Sequence, residues 1–103
     1  TTVSSIEKIN FAKFLNDNNI VMYSAYWCPH CNDQKQLFGK KAVEELLIVE
    51  CAKDGKNNQY KLCQEKGIEG FPSWEINNQI YSGTMSLNEL AKMTNYDGDI
   101  NFE

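Results

Sequence analysis

The order of apolar and polar positions predicts a chain of alternating helices and strands. Residues 5–15 place apolar side chains at helical spacing, and the polar run at 16–19 ends that pattern. Residues 20–25 form a short, nearly continuous apolar stretch, which is typical of a central strand covered on both faces. A helix is predicted over residues 29–45, with a bend at Gly39. Its expected buried side is apolar: Leu37, Phe38, Ala42, Val43 and Leu46.

The second half of the chain predicts a return strand, a short helix and a hairpin. Residues 47–51 are rich in β-forming side chains, and because a helix connects them to the first strand, the two strands should be parallel. Residues 59–66 predict the short helix. Residues 73–76 and 79–82 predict antiparallel strands, since the Asn77-Asn78 pair between them tolerates the left-handed backbone of a tight turn.

The C-terminal part predicts one more helix. Ser86 is a good N-cap residue, Glu89 follows three positions later, and apolar residues recur at helical spacing after it. Trp74, on the first hairpin strand, is expected in the core. We expect a single domain over residues 1–103, with frayed ends at 1–5 and 97–103.

Composition narrows the class of protein. The 103 residues are 42% hydrophobic and 23% charged, as expected for a globular chain, and the net charge of −4 argues against a nucleic-acid partner. No apolar run is long enough for a membrane span, and the N-terminus lacks the charged and apolar regions of a signal peptide. We therefore expect either a cytosolic protein or one from which a targeting or membrane segment was removed.

The candidate chemistry lies in residues 25–31, Ala-Tyr-Trp-Cys-Pro-His-Cys. Pro29 suits the first turn of a helix, so Cys28 should lie at the helix N-terminus, where unpaired N–H groups and the helix dipole favour a thiolate. A thiolate is the attacking species in disulfide exchange. Cys31, one turn later on the same face, is close enough to resolve a mixed disulfide. We expect Cys28 to be the solvent-accessible, attacking thiol.

Two other interpretations of this pair stay open. A lone CxxC can be half of a zinc site, and a buried cysteine can simply fill space. Cys51 and Cys63 form no second CxxC, and the only histidine, His30, lies inside the first pair, so a zinc site has poor support. We expect no metal.

The predicted order α-β-α-β-α-β-β-α, with residues 27–31 at the first strand–helix turn and 70–72 before the hairpin, resembles a thioredoxin fold that lacks its first edge strand. This is an α/β fold with a four-stranded mixed sheet flanked by helices. More narrowly, the chain resembles the soluble thioredoxin-like domain fused to bacterial vitamin K epoxide reductase homologues. The segments that carry this resemblance are 25–31, 49–51, 62–64, 66–68 and 72–76.

That resemblance implies a thiol–disulfide oxidoreductase. Its clients would be proteins with free thiols, and its electrons would pass to a quinone-reducing membrane domain, in the same natural polypeptide. The quinone would belong to that membrane domain, so no cofactor is expected on this one. The implied location is extracytoplasmic, in a periplasm or thylakoid lumen, and the domain itself is expected to be a monomer.

Two features bear on the direction of exchange. The dipeptide Pro29-His30 is similar to that of the periplasmic oxidant DsbA, and His30 could stabilise the Cys28 thiolate and so make the disulfide more oxidising. His30 could equally be a solvated surface residue. Where thioredoxin places a buried aspartate, this chain has Met22, which leaves the proton route for Cys31 open. Glu50 is a candidate replacement, or an exposed carboxylate at a strand end.

Three further residues are expected around the cysteines. The resemblance implies that Pro72 is a cis-proline beside them, which keeps a backbone edge free for substrate. Trp27 and Tyr26 could form an apolar rim for a client or a membrane partner, with plain core packing as the alternative.

Cys51 and Cys63 are expected to be structural, because neither has a helix-start placement that would activate a thiol. They could form a disulfide or remain two buried free thiols. The resemblance favours the disulfide, which would in turn favour an oxidising compartment.

Other functions remain open from the sequence. A cytosolic thioredoxin-like reductase belongs to the same class. A small zinc-binding module and a redox-silent interaction domain belong to other classes.

Overall fold

A computed structural model describes residues 4–103 and shows five helices and four strands in that range. The elements are α1 (Ile6–Asp17), β1 (Val21–Ser24), α2 (Pro29–Phe38), α3 (Lys40–Val43), β2 (Leu47–Glu50), α4 (Tyr60–Glu65), β3 (Ser73–Ile76), β4 (Gln79–Ser82) and α5 (Leu87–Met93). This is the expected order, except that the predicted helix over 29–45 is two helices.

The four strands form one mixed sheet in the order β2-β1-β3-β4. β2 runs parallel to β1, as the helical connection between them requires, and β3 and β4 are antiparallel. The central strand β1 therefore has a neighbour on each side, so its C-terminal end is held in a fixed place. That end leads directly into the cysteine pair.

The two faces of the sheet carry different cores. Met22 and Trp74, opposite each other on β1 and β3, face a large apolar cluster contributed by α1, α2, α3 and α5. Trp74 is fully buried there, which confirms its core placement. On the other face, Tyr23 packs with Cys51 and Cys63, beneath α4. Alternation along β1 thus separates the helical core from a smaller cluster.

A break at Gly39 separates α2 from α3. Gly39 has φ 89°, a conformation that side chains disfavour, and a Cβ atom there would meet the Ser4 Oγ at 2.5 Å. The Ser4 hydroxyl donates to the Phe38 carbonyl at 2.9 Å and accepts from the Ala42 N–H at 3.0 Å, so it bridges the two helices.

The break corrects part of the expected buried side. Phe38, Ala42 and Leu46 are buried, whereas Leu37 is 39% exposed and Val43 is only half-buried. Cys31, Gln34 and Phe38 share the inward face of α2, and Leu37 lies one position off that face. Gln34 takes the inward position that the apolar pattern alone did not assign.

The frayed ends expected at 1–5 and 97–103 stay a prediction, although the described residues at both ends make specific contacts. Ser4 bridges the helix break, and the Ser5 hydroxyl accepts from the Lys8 N–H as the N-cap of α1. At the other end, the Phe102 ring lies 5.3 Å from the Phe11 ring. The aromatic side chain anchors a tail whose polar composition suggested no anchor. Residues 1–3 lie outside the described part of the chain.

Local signals for the hairpin and the last helix are confirmed. Asn77 and Asn78 have φ values of 52° and 67°, the left-handed pair that a two-residue hairpin turn needs. The Ser86 hydroxyl accepts from the Glu89 N–H at 3.1 Å and caps α5.

Cys51 and Cys63 are joined by a disulfide, which links the segment after β2 to α4. Both cysteines are buried beside Tyr23. The Tyr23 hydroxyl in turn donates to the Glu75 carboxylate at 2.6 Å, and Lys66 binds the same carboxylate at 3.0 Å. The cross-link is therefore part of the layer that holds α4 on the sheet.

Replacing both Cys51 and Cys63 by alanine should lower the melting temperature by about 10–20 °C. The disulfide spans a sequence separation of 12, and a loop of that size contributes about 3 kcal/mol in the chain-entropy model. Calorimetry in mild reductant, which leaves this disulfide closed and the Cys28–Cys31 pair open, would measure it. The matched control is the double variant Cys28→Ala with Cys31→Ala, which removes no cross-link under these reducing conditions. It should lower the melting temperature by less than half as much. Equal losses would contradict the structural role.

Candidate active site

Cys28 caps the N-terminus of α2, and Pro29 occupies the first helical position. The Cys28 N–H donates to the Ala25 carbonyl at 3.0 Å, which closes the turn between β1 and the helix. The Cys28 Sγ accepts the Cys31 N–H at 3.3 Å. The Cys31 N–H and the positive end of the helix dipole therefore point at the sulfur that would carry negative charge.

The expectation that Cys28 is openly accessible to solvent is wrong in this state. Cys28 is 4% exposed and Cys31 is 1% exposed, and both are free thiols. The Cys28 Sγ turns toward the protein, where it donates to the Phe71 carbonyl at 3.6 Å as well as accepting the Cys31 N–H. A client must therefore approach through the small part of Cys28 that is exposed.

Cys31 lies deeper, on the buried face of α2. Burial raises the pKa of its thiol, and its interaction with the Cys28 side chain raises the pKa further. The Ser24 side chain and a hydrogen bond with the Ala25 backbone have the opposite effect and lower the pKa of the same thiol. The two cysteines therefore differ in environment, since one caps a helix and the other is desolvated.

The segment before β3 forms the opposite wall of the site. The Phe71–Pro72 peptide bond is cis, and Pro72 is fully buried. The Phe71 carbonyl faces the Cys28 sulfur, which places this segment directly beside the cysteine pair. The substrate-binding role expected of Pro72 stays a prediction.

Tyr26 and Trp27 are exposed at the site and do not belong to the core. Their exposed fractions are 54% and 57%. The Trp27 ring packs edge-on against the Phe71 ring, with 5.9 Å between centroids. The Tyr26 hydroxyl donates to the Asp54 carboxylate at 2.9 Å, and this bond raises the pKa of Tyr26. The two rings form a partly apolar rim next to Cys28.

His30 projects into solvent. Its Nδ1 lies 3.8 Å from the Asp33 carboxylate, one turn along α2, and both side chains are more than two-thirds exposed. The His30 carbonyl accepts from the Thr84 hydroxyl at 3.4 Å. The imidazole therefore faces Asp33, and its effect on the Cys28 thiolate stays a prediction.

The Glu50 carboxylate accepts hydrogen bonds from backbone N–H groups and not from a cysteine thiol. Its Oε2 accepts the Tyr26 N–H at 3.2 Å and the Ala52 N–H at 2.9 Å. A Cβ atom on Gly55 would meet the Glu50 Cγ at 2.6 Å, so the glycine is what lets the loop close over this side chain. Glu50 ties the turn that precedes Cys28 to the segment that begins with Cys51.

Gln34 is a site-supporting residue that the sequence interpretation missed. It is fully buried, and its Oε1 accepts from the Trp74 Nε1 at 3.1 Å and from the Met85 N–H at 2.8 Å. Its Nε2 donates to the Met85 carbonyl at 2.9 Å. The available signal was its place one turn after Cys31 on the same helix face.

Two other kinds of feature are absent from residues 4–103. No group of three or more histidine, cysteine, aspartate or glutamate side chains that could hold a metal ion occurs there. No helix in that range is long and apolar enough to cross a membrane.

Residues 2–95 match the thioredoxin family. The chain belongs to that family. The α/β fold with a four-stranded mixed sheet, as expected from the sequence, is confirmed by this match together with the observed topology.

Named relatives point to the same chemistry. The chain is 46% identical over 99 residues to the thiol-disulfide oxidoreductase LTO1 of Arabidopsis thaliana, which covers 93% of this chain and 26% of LTO1. It is 29% identical over 77 residues to a protein disulfide-isomerase of Arthroderma benhamiae, and 28% identical over 82 residues to one of Aspergillus niger. Each of these two matches covers 72% of this chain and 15% of the relative. Together they support an oxidoreductase enzyme of the thioredoxin type.

Glu50→Ala should slow disulfide exchange several-fold, because the Tyr26 N–H would lose its acceptor and the turn before Cys28 would loosen. Glu50→Gln retains one acceptor oxygen and should keep most of the wild-type rate. The measurement is the rate at which the oxidised protein oxidises a reduced dithiol peptide. If Glu50→Gln were as slow as Glu50→Ala, Glu50 would act through its charge or its proton and not by positioning the turn.

Proposed function

We propose that this thiol–disulfide oxidoreductase of the thioredoxin type works as an oxidant of client protein thiols. A client thiolate attacks the Cys28 sulfur of the Cys28–Cys31 disulfide and releases Cys31. A second client thiol then attacks the mixed disulfide, so the client leaves with a disulfide and the domain leaves as a dithiol. Two electrons pass from client to domain.

The observation that carries this proposal is the placement of Cys28 at the start of α2. The Cys31 N–H lies 3.3 Å from the Cys28 sulfur. N–H groups and a helix dipole in this position stabilise a thiolate more than a thiol. Since the thiolate exists only in the reduced form, stabilising it makes the disulfide a stronger oxidant.

The second disulfide supports an oxidising compartment. Cys51 and Cys63 are paired and buried, and stable structural disulfides are typical of proteins outside the reducing cytosol. We place the domain outside the cytoplasm, in a periplasm or thylakoid lumen. The same pairing weakens the zinc alternative, because it removes two of the four thiols as ligands.

We further infer an electron acceptor of the vitamin K epoxide reductase type. This rests on the sequence resemblance of residues 25–31 and 49–51 to domains fused to such membrane proteins. The chain spans about a quarter of the length of LTO1, so the relative has room for another domain. The exposed Tyr26 and Trp27 rings offer an apolar contact beside Cys28 for such a partner. The domain would bind no quinone itself.

A thioredoxin-like reductase is the second candidate. The family match favours it as much as it favours an oxidant. The two differ in the direction of exchange under physiological conditions, which the redox potential sets.

The equilibrium of Cys28–Cys31 with glutathione tests the proposal. An oxidant should have a potential above about −200 mV, in the range of protein disulfide isomerase and DsbA, whereas a reductase should lie near about −270 mV. Alkylation of the remaining thiols at equilibrium, read by mass spectrometry, gives the value. Cys28→Ser is the matched inactive control. A potential near that of thioredoxin would contradict the oxidant assignment.

Replacing His30 by alanine should make the domain a weaker oxidant. A protonated imidazole beside the helix N-terminus would stabilise the Cys28 thiolate, and each 30 mV of lost potential corresponds to about 1.4 kcal/mol. The potentials of His30→Ala and wild type are compared from pH 5 to pH 8. Lys61→Ala, which removes an exposed cation on α4, is the control and should leave the potential unchanged. Equal potentials for His30→Ala and wild type across that range would refute the role.

A further inference from the structure

Ser24 is unusual among the buried polar side chains. It is 1% exposed, and its hydroxyl is the only buried side-chain nitrogen or oxygen in residues 4–103 without a hydrogen-bond partner of ordinary geometry. The other two buried polar side chains, Gln34 and Ser73, make two or more hydrogen bonds each. A buried hydroxyl left unpaired is unfavourable, so its retention calls for an explanation.

The Ser24 side chain faces the cysteine-bearing helix. Side chains alternate along a strand, so Ser24 shares its face with Met22, which packs in the cluster that contains Cys28 and Cys31. Tyr23, between them, points to the opposite cluster. The Ser24 hydroxyl lies near the Cys31 thiol, outside ordinary hydrogen-bond geometry, and lowers the pKa of that thiol, against the effect of burial.

We propose that the Ser24 hydroxyl is a catalytic hydrogen-bond donor that stabilises the Cys31 thiolate whenever that sulfur carries charge. In the dithiol state the hydroxyl has no ordinary partner. When Cys31 is a thiolate, it becomes a strong acceptor next to a donor already held in place by β1. The proposal rests on the proposed function, because it concerns the same cysteine pair.

The step balances without any added oxidant. In client oxidation, the client thiolate forms a bond to the Cys28 sulfur, the Cys28–Cys31 bond breaks, and Cys31 leaves as a thiolate with the electron pair. In the reverse direction, the Cys31 thiolate attacks the Cys28 sulfur and the client leaves as a thiolate. The Ser24 proton stays on its oxygen throughout, and Cys31 takes its proton from solvent after release.

The neighbouring side chains of Met22, Glu50 and Cys28 are less suited than Ser24 to donate a hydrogen bond to Cys31. Met22, at the position of thioredoxin's buried aspartate, has no proton to give. Glu50, paired with Ser24 in the parallel register, uses its Oε2 to accept the Tyr26 and Ala52 N–H groups. Cys28 is the other ionisable group against Cys31, and its side chain raises the pKa of Cys31. Of these side chains, that of Ser24 is the one with a hydroxyl, and this hydroxyl has no other hydrogen-bond partner.

The test compares wild type with Ser24→Ala in two measurements. In a Cys28→Ser background, the ultraviolet absorbance of the thiolate reports Cys31 alone, and its pKa should rise by about one unit in Ser24→Ala, because one donor to a charged sulfur is lost. In the otherwise native protein, Cys28 is converted to a mixed disulfide with thionitrobenzoate. Stopped-flow release of that group by Cys31 near neutral pH should slow about tenfold.

Ser73→Ala is the matched control. Ser73 is also a buried serine on the sheet, and its hydroxyl donates to the Gly70 carbonyl at 2.6 Å. This variant should lose stability yet leave the Cys31 titration unchanged. Ser24→Thr keeps the hydroxyl and should restore the release rate to within about threefold of wild type. If Ser24→Thr does not fold, the comparison of Ser24→Ala with Ser73→Ala tests the role of Ser24 by itself.

The possible outcomes distinguish a failure of the proposed function from a failure of the proposed role of Ser24. If wild-type protein released no thionitrobenzoate, the proposed function itself would fail. Normal release by wild type with an unchanged rate and pKa in Ser24→Ala would overturn the assignment of Ser24 only. An equal effect of Ser73→Ala would also overturn it, since general loosening of the sheet would then account for the change.

Discussion

The hydrogen bond from the Cys31 N–H to the Cys28 sulfur is the contact on which the site depends. It exists because Cys28 caps α2 and Pro29 fixes the first helical residue, so the helix N-terminus is directed at one sulfur. β1, with hydrogen-bonded neighbours on both sides, sets where that helix begins. The asymmetry between the two cysteines follows: one sulfur caps the helix, and the other lies desolvated on its buried face.

The surroundings hold this arrangement from three directions. The Phe71 carbonyl faces the Cys28 sulfur from the segment before β3. Glu50 fixes the preceding turn, and the Cys51–Cys63 disulfide anchors the segment that Glu50 also binds. Gln34 joins α2 to the chain before α5 through the Met85 backbone. Support of this kind lets a small domain hold two buried thiols one helical turn apart, one of them as the helix cap.

Local chemistry in the sequence predicted the elements well, and tertiary contacts explain where it failed. The Asn77-Asn78 turn, the Ser86 cap and the Pro29 helix start each depend on a few adjacent residues, and each is present. The anchoring of the ends by Ser4 and Phe102 depends on partners more than thirty residues away, so no local pattern revealed it. The same limit applies to Cys28, whose sulfur contacts the Phe71 carbonyl, and to Ser24, whose importance appears only once β1 packs against α2.

The most direct test of the central claim, that Cys28 attacks and Cys31 resolves, is the relative alkylation rate of the two thiols in the reduced native protein at mildly acidic pH. Mass spectrometry of the digested protein gives the modified fraction at each position over time. The account predicts that Cys28 is modified first, because its sulfur accepts a helix N–H and lies nearer the surface, whereas burial raises the pKa of Cys31. Faster modification of Cys31 would contradict it.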